Sequence, residues 1–269
     1  MPWTIVERTD WIMLCQDIID ELERLAPPDY AMEWDNVGLL VGRRDKEVKK
    51  VIIAVDATEE VCDIAIEHGA DMIITHHPMI FSKLNRINSD TALGRKLISL
   101  IEAGISCYAM HTNFDTIGGM GKLAAKMLCL KDTEVLEETK DGEGIGEIGT
   151  LPLSISLKEL AVNVKDVFSV DNVMIFGDAD KEIRRVAICP GSGKSVIDEA
   201  YCKGADCLVT GDIGHHEGID AVDMGLTIID ASHYGIEKIF IKYISDYLYN
   251  YSKDIDIEEI DVGEPFVVI

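Results

Sequence analysis

The sequence contains no long hydrophobic run and no C-x-x-C motif, and it is poor in basic residues. Without about 18 uninterrupted apolar residues, no membrane span is expected. The start, Met1-Pro2-Trp3, leads into charged and mixed sequence, which is not typical of a signal peptide. Seven cysteines without a C-x-x-C pair argue against a thiolate zinc site and predict reduced core thiols. We therefore expect a cytoplasmic protein.

The charge is strongly one-sided. The 269 residues include 25 Lys and Arg against 49 Asp and Glu, which gives a formal net charge of −24. Nucleic acids and anionic membranes bind clustered basic residues, so this balance argues against both as partners. A hydrophobic content of 47% is typical of a globular protein, and the length allows one large or two small domains.

The order of predicted elements indicates an α/β fold. An amphipathic helix is predicted from Trp11 to Leu25 and is stopped by Pro27-Pro28. A βαβ pattern follows, and Asp56-Ala57-Thr58 is predicted to be a turn with an N-cap. The elements of this pattern are a strand over 51–55, a helix over 59–68, a strand over 70–75, a helix over 92–103 and a strand over 105–110. A charged, Gly-spotted segment over 133–150 predicts a connection or a hairpin.

An internal repeat indicates two similar halves. Residues 50–75 align without a gap on residues 185–210. A looser repeat pairs His111-x-x-x-Asp115 with His233-x-x-x-Glu237. We predict two similar α/β domains from an internal duplication, over 1–130 and 131–269, related by a pseudo-two-fold axis with a metal site between them. The C-terminal segment is expected to pack back on the first half.

Histidines and carboxylates follow the predicted strands. Because the carboxyl ends of strands in an open α/β sheet meet at one rim, we expect these side chains to converge. If Ser232 opens a helix, His233 and Glu237 share one face of it. The five candidate metal ligands are His76, His77, Asp115, His233 and Glu237.

The number and type of these candidates predict a dinuclear centre. Imidazole with carboxylate suits zinc, iron, nickel or manganese without distinguishing among them. The set is too large for one open tetrahedral site, but it suits two ions about 3.5–4 Å apart with a bridging carboxylate or hydroxide. His111 is expected either to ligate as well or to hold Asp115 or a ligating histidine from outside.

Several other residues are weaker candidates for a pocket. Asp35-Asn36 reads as a turn on composition, or as a loop that lines a pocket. The segment 190–195 lacks the first glycine of a phosphate loop, so we expect a strand-to-helix turn whose amides, with Lys194, could hold an anion. His215-His216 after Asp212 predicts a loop or helix start, or a pocket wall. The pocket candidates are His111, Asp35, Asn36, Asp212, His216 and Lys194.

Taken together, these motifs resemble the NIF-three-like family, whose members are often labelled GTP cyclohydrolase 1 type 2 homologues. The resemblance spans nearly the whole chain in family order, without the inserted domain that some members carry between the halves, so the chain resembles the short form. The segments that carry it are Glu33-Trp34-Asp35-Asn36-Val37-Gly38, Thr75-His76-His77-Pro78, His111-Thr112-Asn113-Phe114-Asp115, Gly191-Ser192-Gly193, Gly211-Asp212 with His215-His216, and Ser232-His233-Tyr234-Gly235-Ile236-Glu237.

This resemblance implies two similar α/β domains, a toroidal homo-hexamer and two divalent ions per chain that face an internal cavity. Carried over by motif, it implies the same five ligands, with Glu237 as the bridge.

Two functions remain open from the sequence. The first is a metal-dependent hydrolase of a nucleotide-like or other small polar substrate, in which Asp212, His216 or Asp35 moves protons. Because the chain is acidic, a polyanionic substrate would need local positive charge from the ions, from Lys194, or from Lys83 or Arg86. The second is a non-enzymatic metal-binding, metal-delivery or regulatory interaction protein. The same ligands serve both, and the sequence names neither the metal nor the substrate.

Overall fold

The computed structural model describes residues 12–269, so Met1-Pro2-Trp3 and Trp11 lie outside the described residues. The described chain is a mixed α/β fold with two sheets. Its strands are β1 (Gly38–Val41), β2 (Lys50–Ala54), β3 (Met72–Thr75), β4 (Ser106–Ala109), β5 (Lys131–Lys140), β6 (Glu143–Ser156), β7 (Met174–Phe176), β8 (Glu182–Ser192), β9 (Cys207–Gly211), β10 (Thr227–Asp230) and β11 (Asp256–Glu259). Its α-helices are α1 (Cys15–Leu25), α2 (Glu59–Glu67), α3 (Ala92–Ala103), α4 (Met120–Met127), α5 (Leu157–Phe168), α6 (Ile197–Cys202), α7 (His215–Met224), α8 (His233–Glu237) and α9 (Ile239–Tyr251).

The first helix starts later than the sequence predicts. It begins at Cys15, because Leu14 forms a β-bridge with Glu47. The Asp17 carboxylate accepts the backbone N–H of Leu14 at 2.8 Å, which fixes the start of the helix. The spacing of apolar residues in the sequence predicts the buried face of this helix. It does not show the residue at which the helix begins, because that depends on the β-bridge.

The first sheet has the strand order β1-β4-β3-β2-β11. Strands β2, β3 and β4 are parallel, and β11 adds in parallel beside β2. Parallel strands covered on both faces read as continuous apolar runs, which is why the sequence shows no alternation here. Val51 and Ile53 pack in the cluster that contains the buried residues of α1, whereas Ile52 and Ala54 pack with those of α2 and α3.

The second sheet has the strand order β5-β6-β8-β9-β10-β7. Its parallel strands β8, β9 and β10 continue into the antiparallel pair β5 and β6. The segment over 133–150 is therefore a hairpin rather than a plain connection. Asp141 and Gly142 at its turn have φ of +55° and +81°, as a tight Asp-Gly hairpin turn requires.

The two sheets share one apolar core. A single buried cluster contains Val51 and Ile74 of the first sheet together with Val186, Val209 and Ile229 of the second. The cluster also contains residues of α1, α4, α5 and α9, so the apolar core runs from one sheet to the other through these helices. No helix within residues 12–269 is long and apolar enough to cross a membrane. The buried cysteines are unpaired, as are the two exposed ones, Cys129 and Cys202.

The two parallel units repeat the same side-chain anchors. Asp71 accepts the backbone N–H groups of residues 49 and 50 at 2.9 and 3.1 Å, and Asp206 accepts those of residues 184 and 185 at 2.9 and 2.8 Å. These equivalent hydrogen bonds fall at the positions that the sequence repeat aligns. They support the predicted internal duplication.

The looser repeat is displaced by one residue in the structure. Met110 corresponds to Ala231, because their backbone N–H groups donate to the carbonyls of Thr75 and Thr210 at 2.9 and 2.8 Å, and the sequence repeat aligns these two threonines. His111 therefore corresponds to Ser232, and His233 comes one residue later. Ser232 has a φ of +64°, so the additional residue forms a sharp bend before α8.

Candidate metal centre

The five predicted ligands meet at the carboxyl ends of strands from both sheets. His76 and His77 directly follow β3, and Asp115 lies in the π-helical turn Phe114–Gly118 that follows β4. His233 and Glu237 occupy the first and last positions of α8, which follows β10. The two sheets thus bring together residues that are distant in the sequence.

Glu237 contacts three imidazoles at once. Its Oε1 lies 3.5 Å from His76 Nε2, and its Oε2 lies 3.0 Å from His77 Nε2 and 3.1 Å from His233 Nε2. Asp115 Oδ1 lies 3.5 Å from the same nitrogen of His76. The side chains of His76 and Glu237 are 0% and 4% exposed, so they form the base of the cluster.

Four histidines at this site have their Nδ1 atom engaged with an acceptor, which leaves Nε2 as the atom able to bind a metal ion. Such contacts fix the tautomer and the orientation of metal-binding imidazoles. The pairs are His76 with the Met110 carbonyl at 2.8 Å, His77 with Asp56 at 2.9 Å, His111 with Asp35 at 2.9 Å, and His233 with Asp212 at 2.8 Å.

His77 belongs to two groups of converging ligand atoms. In one group, the ring nitrogens of His76, His77 and His111 lie within 4.8 Å of one another. In the other, His77, His233 and Glu237 satisfy the same limit. His111, an uncertain ligand from the sequence, therefore lies beside the five candidates. These histidine and glutamate groups could hold a metal ion.

The carboxylates make this cluster strongly attractive to positive charge. Burial lowers the pKa of His77, but the hydrogen bond with Asp56 and the adjacent Glu237 outweigh burial and raise it to about 10. Burial is likewise outweighed at His233, where Glu237 and Asp212 raise the pKa to about 9. Burial alone would raise the pKa of Glu237, yet the surrounding imidazoles hold it well below its ordinary value.

The donor atoms fit a divalent transition metal. His76 Nε2 is buried and makes no hydrogen bond within the described residues, although burying such an atom unpaired costs about 1–3 kcal/mol. Glu237 Oε2 is buried as well, and it lies at ion-pair distance from His77 and His233 without hydrogen-bond geometry. Both are atoms that bind zinc, iron, nickel or manganese. Gly191 lies close to the Glu237 carboxylate, since a Cβ there would lie 2.3 Å from Glu237 Oε1. The backbone therefore leaves the centre open where a side chain would fill it.

Sequence reasoning missed Asp56. The predicted N-cap is confirmed, since Thr58 caps α2 by accepting the Val61 N–H at 3.1 Å, but the contact of Asp56 with His77 is not part of that prediction. Asp56 comes shortly after β2 as His77 comes after β3, so its place after a strand was an available signal. The contact of the Met110 carbonyl with His76 has no such signal, because every residue has a backbone carbonyl.

Asp35 and Asn36 serve both interpretations of their segment. Asp35 Oδ1 accepts the N–H of Asn36 at 2.8 Å, as in a turn, and also contacts His111. Its Oδ2 accepts the N–H and the hydroxyl of Thr112 at 3.0 and 2.5 Å. Burial opposes ionisation of Asp35, but His111 and Thr112 outweigh it and lower the pKa to about 2.

The remaining pocket candidates lie differently. Asp212 holds His233 and has a φ of +58°, a strained conformation for a residue other than glycine. His216 is exposed on the first turn of α7, with its ring 5.2 Å from that of His215, and Lys194 is exposed in the 3-10 turn Gly193–Val196. Within residues 12–269, the groups of converging ligand atoms include neither His216 nor Lys194.

Comparisons with known proteins agree with this architecture. A Clostridium acetobutylicum protein named GTP cyclohydrolase 1 type 2 homolog is 37% identical over 226 residues, which cover 82% of this chain and 84% of that protein. A Streptococcus pneumoniae protein of the same name is 37% identical over 247 residues, which cover 90% and 92%. The crystal structure of a Bacillus cereus protein related to NIF3 matches with a TM-score of 0.92 at 28% identity, over 96% of this chain and 99% of that one.

This coverage in both directions fits the short form, as the motifs predicted. The sequence model of the family described as Duf34/NIF3 (NGG1p interacting factor 3) matches residues 13–264. The chain therefore belongs to the Duf34/NIF3 family.

Proposed function

We propose that this protein is a dinuclear metal-dependent hydrolase that acts on a nucleotide-like or other small polar substrate. The observation that carries the proposal is the position of Glu237, whose two carboxylate oxygens face different imidazoles. A carboxylate with candidate ligands at both oxygens is suited to bridge two ions.

The residues that would hold the ions are the five predicted from sequence, with Glu237 as the bridge. His111 is a further candidate ligand, because its ring lies 5.3 Å from that of His76 and its Nδ1 is already engaged by Asp35. Two divalent ions would supply Lewis-acid chemistry, which activates water and polarises the attacked group. The metal-binding residues would be His76, His77, Asp115, His233 and Glu237.

The exposed side of the cluster is where a substrate would approach. His76 is fully buried, whereas the side chains of His77 and His233 are 22% and 33% exposed. Asp212 engages His233 through Oδ2, and its side chain is 55% exposed. The side chain of Asp35 is fully buried and bonded to His111 and Thr112, which makes Asp212 the better of the two for moving protons.

The net charge of −24 repels polyanions at long range, so any attraction for a nucleotide must be local. Bound ions are often the largest local charges in a site, so the two ions would supply that attraction. We also propose that the chain assembles as a homo-hexamer in the cytoplasm, as the family resemblance implies.

Metal analysis followed by turnover tests this proposal. Protein purified without added metal, and then saturated with each candidate ion, is expected to hold about two ions per chain. The loaded protein is then assayed against GTP and other nucleotides, with His77→Ala as the control for contaminating activity. Turnover that survives in His77→Ala contradicts the proposal. Bound metal with no turnover on any substrate supports the metal-delivery or interaction alternative instead.

A further inference from the structure

Two large aromatic side chains lie exposed beside the candidate centre. Trp34 is 59% exposed and Phe81 is 55% exposed, and their ring centroids lie 5.8 Å apart at 47°. The ring of Trp34 also contacts that of His111, edge-on at 6.0 Å. Since His111 packs against both His76 and His77, this aromatic pair is continuous with the rings of the centre.

Both aromatic residues are next to anchored residues. Asp35, which follows Trp34, is fixed by His111 and Thr112. The side-chain amide of Asn36 donates to the carbonyl of Ile80, the residue before Phe81, at 2.5 Å. The segments that carry the two rings are thus tied to each other and to the centre, and more than half of each aromatic residue remains exposed.

The charge of the protein indicates which part of a substrate this pair would bind. A strongly acidic surface disfavours phosphate or carboxylate groups away from the ions. Stacking of a heteroaromatic ring on an aromatic side chain needs no opposite charge, and it contributes about 1–3 kcal/mol per base. An exposed, preorganised aromatic pair next to a metal centre therefore suits a substrate with a flat ring and an anionic part.

We propose that Trp34 and Phe81 form a stacking platform for a planar heteroaromatic ring of the substrate, of the nucleobase class. The ring stacks on the exposed face of Trp34, and the groups attached to it extend past His111 toward the ions. This inference rests on the proposed function, because it assigns a substrate class to the same centre.

Binding of two probes to the metal-loaded protein tests the platform. Guanosine 5′-monophosphate carries a base, and ribose 5-phosphate does not. Trp34→Ala is expected to weaken binding of the first about 5- to 150-fold, by calorimetry, and to leave binding of the second unchanged. Trp34→Phe should retain most of the affinity, and Phe81→Ala should give a smaller loss. Tyr249→Ala is the matched control, since Tyr249 is 55% exposed on α9.

The outcomes separate this inference from the proposed hydrolase. Unchanged affinity for the nucleotide in Trp34→Ala at unchanged metal content overturns the platform, as does a wild type that binds the two probes equally or binds neither. A change in oligomeric state with unchanged affinity assigns the pair to a contact between copies and also overturns it. Trp34-dependent binding without turnover supports the platform and contradicts only the hydrolase. Turnover of small polar substrates that does not depend on Trp34 contradicts only the platform.

Discussion

Glu237 Oε2 lies 3.0 Å from His77 Nε2. Glu237 is on α8, which follows β10 of the second sheet, and His77 follows β3, the central strand of the first. The two residues are remote in the sequence, and each is anchored within its own sheet. The contact exists only when the two sheets pack together. Metal binding and the packing of the halves should therefore depend on each other.

Replacing Glu237 should remove most of the bound metal. Glu237→Ala deletes both oxygens that face the imidazoles, whereas His111→Ala deletes a ring at the edge of the cluster. Elemental analysis of the purified variants is expected to show the larger loss for Glu237→Ala, against about two ions per chain in the wild type. A wild type without bound metal under saturating supply would contradict the dinuclear centre.

Asp56→Asn should weaken metal binding although Asp56 is not one of the proposed ligands. The carboxylate holds His77 Nδ1 at 2.9 Å, and loss of such an orienting contact typically costs 10–100-fold in metal affinity or activity. Metal titration monitored by calorimetry measures the change. Asp45→Asn, at an exposed residue paired with Arg43, is the control and should bind like the wild type. Equal affinities for Asp56→Asn and the control would exclude this role.

Gly191→Ala should disrupt the centre beyond its effect on the backbone. The φ of Gly191 is +76°, and an added Cβ would lie 2.3 Å from Glu237 Oε1. Gly204→Ala is a close control, because its φ is +74° and nothing lies within 4 Å of its Cβ. Both variants should lose about 1 kcal/mol of unfolding free energy from backbone strain. Only Gly191→Ala should also lose metal, and equal metal contents would refute the close approach.

Asp71 should make stability depend on pH. Burial opposes ionisation of Asp71, but the N–H groups of Lys49 and Lys50 and the ammonium of Lys46 outweigh it and lower its pKa. A folded-state pKa below the unfolded value of about 3.9 stabilises the fold above that pH, and this contribution is lost as the pH falls through the folded pKa.

Denaturant unfolding of Asp71→Asn at several pH values tests this. The variant should be about 1–2 kcal/mol less stable than the wild type near neutral pH, and the difference should shrink below about pH 4. Asp63→Asn, at an exposed position on α2, is the control. A difference that stays constant down to pH 2 would argue against the lowered pKa.

Light scattering tests the proposed hexamer. Because each chain carries a net charge of −24, self-repulsion opposes assembly at low ionic strength and is screened by salt. The hexamer is therefore expected to be more stable at moderate than at low salt. A stable monomer at moderate ionic strength would contradict the assembly.

The sequence by itself determined the elements and the family. Central parallel strands are covered on both faces, so Val51-Ile52-Ile53 and Met72-Ile73-Ile74 stand out as apolar runs. Histidines placed directly after such runs must lie at a sheet rim. The spacing of His233 and Glu237 predicted one shared helical face, and the motifs in order predicted the family that the comparisons confirm.

Only the tertiary structure decided which groups hold the imidazoles. Asp56 reaches His77 because Ala54 of β2 pairs in register with Thr75 of β3, and register between strands is not encoded in either strand alone. The Met110 carbonyl carries no residue signature, and the need for glycine at 191 arises from a carboxylate 46 positions later in the chain. Local sequence patterns predict the helix or strand to which a residue belongs. These contacts depend instead on how separate elements pack, so the fold had to place them.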